Sequence, residues 1–279
     1  MSSPSSFHRS TSNQPAHPIQ IASPPLATPT SQQPTQILTF SIRPSARIED
    51  VSTPDGETWN KALDIIQKYP GFRALYWGRN VEESDQDRVE VVVYRNKMSQ
   101  HTSFLSSRPW LSLQQILEPL YESSSEKNVS VLHAQLQDFT SNARTLLNAP
   151  VTGTAIYTAT SVHGWEKVWA LWTTIVPEVK GCLGCTGGWV ESLPQPPAEE
   201  GKSDGGEKKR EGVREYVVYV GWESIQDHDA YHHTKDFARK RVILSLHNSG
   251  WRGYGHVRFA GSRVRCVEYN EEKSRKAKL

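Results

Sequence analysis

Two kinds of hydrophobic period alternate along this chain, and the order in which they alternate occurs twice. Alternating or continuous apolar runs of strand length fall at residues 37–42, 73–78, 88–94 and 129–136. A helical spacing of Trp59, Leu63, Ile66 and Tyr69 fits between the first two, and a second helical region covers residues 99–121. Pro109 stands inside that region and is expected to break or kink it. The same succession then returns. Strands are predicted at 154–160, 182–191, 215–222 and 253–260. The helix at 164–179 sets Trp165, Val168, Trp169, Trp172, Ile175 and Val176 on one face. A long second helix is predicted from Ser224, where Ser224-x-x-Asp227 is similar to a capping box, to just before Gly250. Each half thus reads β-α-β-β-α-β, the split-βαβ order.

Particular residues support the repeat. Glu90-Val-Val-Val-Tyr94 leads through a polar turn to His101 and Phe104, and Val217-Val-Tyr-Val-Gly221 leads through another to His228 and Tyr231. His101 and His228 stand 127 residues apart, while His133 and His256, on the last strand of each half, stand 123 apart. Gly71 and Gly181 each follow a predicted helix and precede a strand, as a helix stop should. A four-stranded sheet with helices on one face leaves its other face bare, and a second copy is the simplest cover. The expected fold is therefore α+β: two tandem ferredoxin-like repeats, residues 36–140 and 151–262, closing into one α/β barrel. Alternation in the last strands sets Val257 and Phe259 against His256 and Arg258, and Leu132 and Ala134 against His133. This suggests a barrel interior that is a partly polar, ligand-sized chamber.

Composition separates the ends from the middle. Residues 1–35 are rich in Ser, Pro, Thr and Gln and are expected to be disordered. Residues 194–214 read as a flexible Gly/Glu/Lys insertion between two strands, and 263–279 as a charged tail. A formal net charge of +2 lacks the concentrated basic face of a nucleic-acid binder. No stretch reaches the ~20 apolar residues of a membrane span, so neither nucleic acid nor membrane is an expected partner. Three cysteines fit a reducing compartment. Ala277-Lys278-Leu279 is a small-basic-Leu variant of the peroxisomal address, which makes a peroxisomal import receptor an expected partner and the cytoplasm the other location.

The run Gly221-Trp-Glu-Ser-x-x-x-His228-x-x-Tyr231, followed by Phe237, resembles the strand-turn-helix signature of the dimeric α/β barrel superfamily. Its antibiotic biosynthesis monooxygenase branch is the most similar, with the stress-responsive A/B barrels as neighbours. The resemblance spans about residues 37–260 and is carried mainly by the second half, since Arg95-Asn96 stand where Trp222-Glu223 would. It implies a fused pseudo-dimer, expected to be a monomer in solution. It also implies a cofactor-independent monooxygenase, or a related cyclase or isomerase, acting on a hydrophobic aromatic or polyketide-like molecule of secondary metabolism. The alternative it leaves open is a non-catalytic stress-response barrel that binds a small molecule or a protein. The haem-degrading branch relies on an Asn in the first strand and a His far along the second helix. Here residues 154–160 hold no Asn, and the far positions read Arg239-Lys-Arg241.

For such chemistry a base must take a proton from a phenol or enol, and His228 and His256 are the candidates. Trp222 would form an aromatic wall, Arg258 would hold an enolate or oxyanion, and Tyr157 and His133 would complete the substrate-binding set. His232 and His233 read as surface histidines with no third metal ligand, and Cys182-x-x-Cys185 as strand packing. No phosphate-cradling Gly loop is present, so a nucleotide cofactor is not expected, and with no third ligand beside the histidines no metal is expected either. The address at Leu279 predicts that a fluorescent fusion of the chain is punctate and turns diffuse when Leu279 is deleted; puncta that survive the deletion would exclude it.

Overall fold

The computed structural model describes residues 31–82, 87–121, 129–140, 146, 149–191 and 213–265. The first half runs β1 (Gln33–Ser41), α1 (Pro54–Lys68), β2 (Phe72–Asn80), β3 (Arg88–Arg95), α2 (Met98–Leu105), α3 (Arg108–Leu117) and β4 (Val129–Asp138). The second runs β5 (Val151–Ala159), α4 (Val162–Ile175), β6 (Cys182–Val190), β7 (Arg214–Trp222), α5 (Ile225–His232), α6 (Lys235–Lys240), α7 (Val242–Ser245) and β8 (Asn248–Val264). All neighbouring strands are antiparallel, and they close into one barrel in the order β1-β3-β2-β8-β5-β7-β6-β4. Each half contributes four adjacent strands in the ferredoxin-like order. The halves join at two seams, β2 with β8 and β4 with β6.

Local chemistry explains where the elements start. Thr53 caps α1 by accepting from the Gly56 N–H, Pro54 opens the helix, and Asp55 and Glu57 occupy its positive first turn. Ser161 caps α4 in the same way through the Gly164 N–H. Gly71 and Gly181, at φ of 77° and 86°, make the left-handed turns that lead into β2 and β6. At the seams, Gly78 and Gly188 let the backbones meet: a Cβ would lie 2.1 Å from the Arg258 carbonyl oxygen in one case and 2.0 Å from that of Gln135 in the other.

Three clusters of buried side chains fill the molecule. One lies between the first half's sheet and helices and includes Phe40, Trp59, Leu75, Val91, Phe104 and Leu113. A second, including Trp165, Trp169, Val218 and Trp222, occupies the matching layer of the second half. The third is the barrel interior, where Ile37, Val92, Tyr94, Ala134, Leu136, Val217, Tyr219, Val257 and Phe259 meet from both halves. The interior is thus a packed core, and the expectation of a partly polar chamber there is corrected. The predicted alternation holds, but its assignment is inverted, because His133 and His256 lie on the outer, helix-facing side of the sheet. The interior does hold one buried carboxyl group, Glu90, which accepts a hydrogen bond from the Tyr219 hydroxyl at 2.7 Å.

Several element limits also differ from expectation. The strand β1 opens at Gln33, inside the segment read as a tail, and β8 runs to Val264, with Arg263 bonded to Asp64 and Gln67 of α1. The break near Pro109 comes at Ser106–Ser107, and Pro109 sits in the first turn of α3, where its missing N–H costs nothing. The long helix predicted after Ser224 is three short ones. Ser224 caps α5 through the Asp227 N–H, but Thr234 starts α6 afresh by accepting from the Phe237 N–H. Residues 1–30 and 266–279, and residues 194–212 of the predicted insertion, lie outside the described residues.

Burial raises the Glu90 carboxyl from its ordinary 4.5 to about 7, against the lowering effect of the Tyr219 bond. Between those values the folded chain binds more protons than the unfolded one, so stability falls as pH rises through that window. Glu90→Gln keeps an acceptor for Tyr219 and removes the ionisation. Urea unfolding should show the variant more stable by up to about 3 kcal/mol at about pH 8.5 and unchanged near about pH 4.5.

Candidate functional site

In the second half the helical layer stands away from the sheet. The short helices α5, α6 and α7 cover the outer face of β5, β7 and β8 and leave a cavity of about 1050 Å³ between helices and sheet. Its deep wall is aromatic, formed by Trp169, Trp172, Trp222 and Tyr231, with Tyr157 from β5. Gly153 adds room, since a Cβ there would sit 3.4 Å from the His228 ring and 3.6 Å from the Trp222 Nε1. The mouth is edged by Val242, Trp251 and Tyr254, which line the cavity and are also exposed.

A chain of three side chains runs into this wall. The Glu82 Oε1 is 2.7 Å from the His256 Nδ1, and the His256 Nε2 is 2.7 Å from the His228 Nδ1. Oε2 of Glu82 also accepts from the His256 backbone N–H at 3.0 Å. Burial pushes the Glu82 carboxyl up, but the bonds from the His256 backbone and ring outweigh it, and the group ends below its ordinary value. A carboxylate there fixes the tautomers: His256 donates from Nδ1 and accepts at Nε2, so His228 donates from Nδ1. The His228 Nε2 is then left for a bound molecule. Burial first, then His232 and His256, lower His228 to about 3, so it is neutral near pH 7. Trp222 stacks on its ring at 4.5 Å between centroids, with 26° between planes. Two donors in the same wall, the Trp222 Nε1 and the Tyr231 hydroxyl, are buried with no partner among the described residues. Buried donors of this kind favour an oxygen-bearing ligand.

The structure thus brings His228, His256, Trp222 and Tyr157 together. Two of the expected residues are elsewhere. Arg258 is exposed, lines no part of the cavity and stands at the seam, in register with Arg79 of β2. His133 is buried in the first half, where it bonds Gln36 at 3.0 Å with its ring 5.9 Å from His101. His232 is not a surface residue: it is half-buried, lines the cavity and lies 4.4 Å from the His228 ring. Cys182 and Cys185 pack under the aromatic cluster as strand residues.

The first half shows why the repeat alone does not make a site. Arg95, in the place of Trp222, is fully buried and donates to the Ile66 and Tyr69 carbonyls at 3.1 Å, so it caps the end of α1. Its guanidinium lies 5.1 Å from both the Tyr69 and Phe104 rings. The His101 Nε2 is 3.0 Å from the Pro34 carbonyl. The residue that sequence reasoning missed is Glu82. It belongs to the first half and reaches His256 only because the β2–β8 seam places it there, where the Val81 N–H bonds the His256 carbonyl at 3.0 Å. No local signal marks it.

No protein-family model matches the chain, and no curated protein matches it in sequence. Solved structures do. An anthrone oxidase-like protein superposes with a TM-score of 0.54 at 11% identity, covering 85% of this chain and 96% of that one. A candidate monooxygenase from Fusobacterium nucleatum superposes with a TM-score of 0.50 at 8% identity, covering 84% of this chain and 95% of that one. At such identities the likeness is one of fold. The chain shares the fold of these structures, an α/β barrel with both of its four-stranded halves in one polypeptide.

Proposed function

We propose that this chain is a cofactor-independent oxygenase for a hydrophobic, aromatic or polyketide-like small molecule bound in the second-half cavity. The observation that carries this reading is the Glu82–His256–His228 chain, which ends on an aromatic wall. The names of the two fold neighbours point the same way.

The chemistry follows from where a proton can rest. A doubly activated methylene or phenol approaches the His228 Nε2, which takes its proton. A buried, isolated imidazolium is costly there. The His228 Nδ1 proton moves to the His256 Nε2, and the charge settles on a ring already bonded to the Glu82 carboxylate. The substrate anion is held by the Trp222 and Tyr231 donors, the role expected of Arg258. It then reacts with molecular oxygen. The methylene carbon gains one oxygen atom as a carbonyl, and the other oxygen leaves as water with the two hydrogens.

Oxygen uptake over a panel of anthrones and hydroquinones tests this reading. His228→Ala should lower the rate on the order of 10²–10⁴-fold. Glu82→Gln should lower it as well, since the relay loses the carboxylate that orients the His256 ring and stabilises the charge it receives. Gly153→Leu, which fills the cavity beside His228, should weaken substrate binding by about tenfold or more. Rates unchanged in both His228→Ala and His256→Ala would remove the assigned base. Tight binding of panel members without oxygen uptake by the parent protein would instead favour the non-catalytic barrel.

A further inference from the structure

Among the described residues, nine large apolar side chains are exposed, and four of them gather at the cavity mouth: Val242, Leu246, Trp251 and Tyr254. Of the other five, Val51, Leu111, Leu171 and Val213 lie on other segments and Val264 ends β8, thirteen residues beyond Trp251. Trp251 is 65% exposed, an unusual position for the largest apolar side chain. Three of the four also line the cavity, so the rim and the apolar interior are one continuous surface.

The unpaired charge around this rim is mostly positive, with Asp229 as the acid nearest Tyr254. Lys235, Arg239 and Arg241 have no ion-pair partner among the described residues, and Arg241 borders the cavity itself. The acids of the same edge are mostly engaged: Asp236 pairs with Lys240 at 2.9 Å and Glu215 with Arg252 at 2.8 Å, while Asp229 faces His232. Arg239 and Val242 stand three residues apart through a backbone that stays helical at Arg241, so a cation and an apolar residue share a side, and Leu246 follows directly after α7.

We propose that this rim docks the protein on an anionic lipid surface, with the cavity mouth facing the bilayer. Trp and Tyr with flanking cations are the side chains suited to the boundary between headgroups and acyl chains. A molecule apolar enough for the cavity also partitions into lipid, and docking gives it a path that avoids water. The inference rests on the reading of the cavity as a site for an apolar molecule. It departs from the expectation of no membrane partner, which rested on the lack of a spanning segment. No described helix is long and apolar enough to cross a membrane, and a peripheral surface needs none.

Co-sedimentation of the full chain, without substrate, tests the proposal. The vesicles are phosphatidylcholine alone or phosphatidylcholine mixed with phosphatidylserine. The chain should pellet with the mixed vesicles, and less so as salt rises. Arg239→Gln and Arg241→Gln should each lower the partition coefficient about fivefold. Trp251→Ala should lower it as well, while Leu171→Ala, on the exposed side of α4, should leave it unchanged. His228→Ala should pellet like the parent, so failure of the catalytic reading and failure of docking show up separately. Three results would overturn the proposal. They are no pelleting with either vesicle, pelleting that all three rim substitutions leave intact, and a concentration-dependent dimer lost on Trp251→Ala, which would make a second copy the cover of the rim.

Discussion

Everything in this molecule depends on two bare sheet faces covering each other. Each half offers four strands with helices on one side and apolar side chains on the other, and neither sheet is stable with that second side in water. Closure through the two seams buries Val92, Val217, Val257 and Phe259 in a common core and leaves the barrel no free strand edge. With the interior spent on packing, a ligand can be admitted only between sheet and helices. There the room is set by how tightly the helical layer sits.

That layer is where the halves part. In the first, Phe104, Trp110 and Leu113 press α2 and α3 onto the sheet, and Arg95 ties the end of α1 to the same surface. In the second, α4 carries three tryptophans at core spacing, but the helices after β7 are short and a cavity stays open between them and the sheet. The histidine pair is present in both. Only in the second half do its members bond each other, with a carboxylate behind them and an aromatic wall in front.

Much of the fold was legible in the residues. The 127- and 123-residue offsets, the helix-stop glycines and the alternation in the last strands identify two equal units and hence a barrel. Alternation tells which side chains share a face but not which face is the interior, and the histidines lie on the side of the sheet opposite to the one expected. Parity puts Arg258 on the face of His256, but parity does not tell how far the cavity extends along a strand, and Arg258 lies exposed outside it. Glu82 was invisible because its role depends on strand register across a seam, a property of two distant segments together. The breaks after His232 were hidden in a region of mixed polarity where Thr234 is the single capping signal.

The origin of Glu82 in the opposite half has a consequence for how such a chain can diverge. In a barrel made of two identical subunits, any carboxylate donated across one seam is donated across the other, and both clefts must change together. Joining the units in one polypeptide frees them from that symmetry. The first unit can turn its cleft into solid support and lend one acidic side chain, while the second keeps the opening. Duplication followed by fusion thus permits a division of labour that selection on a homodimer could not reach.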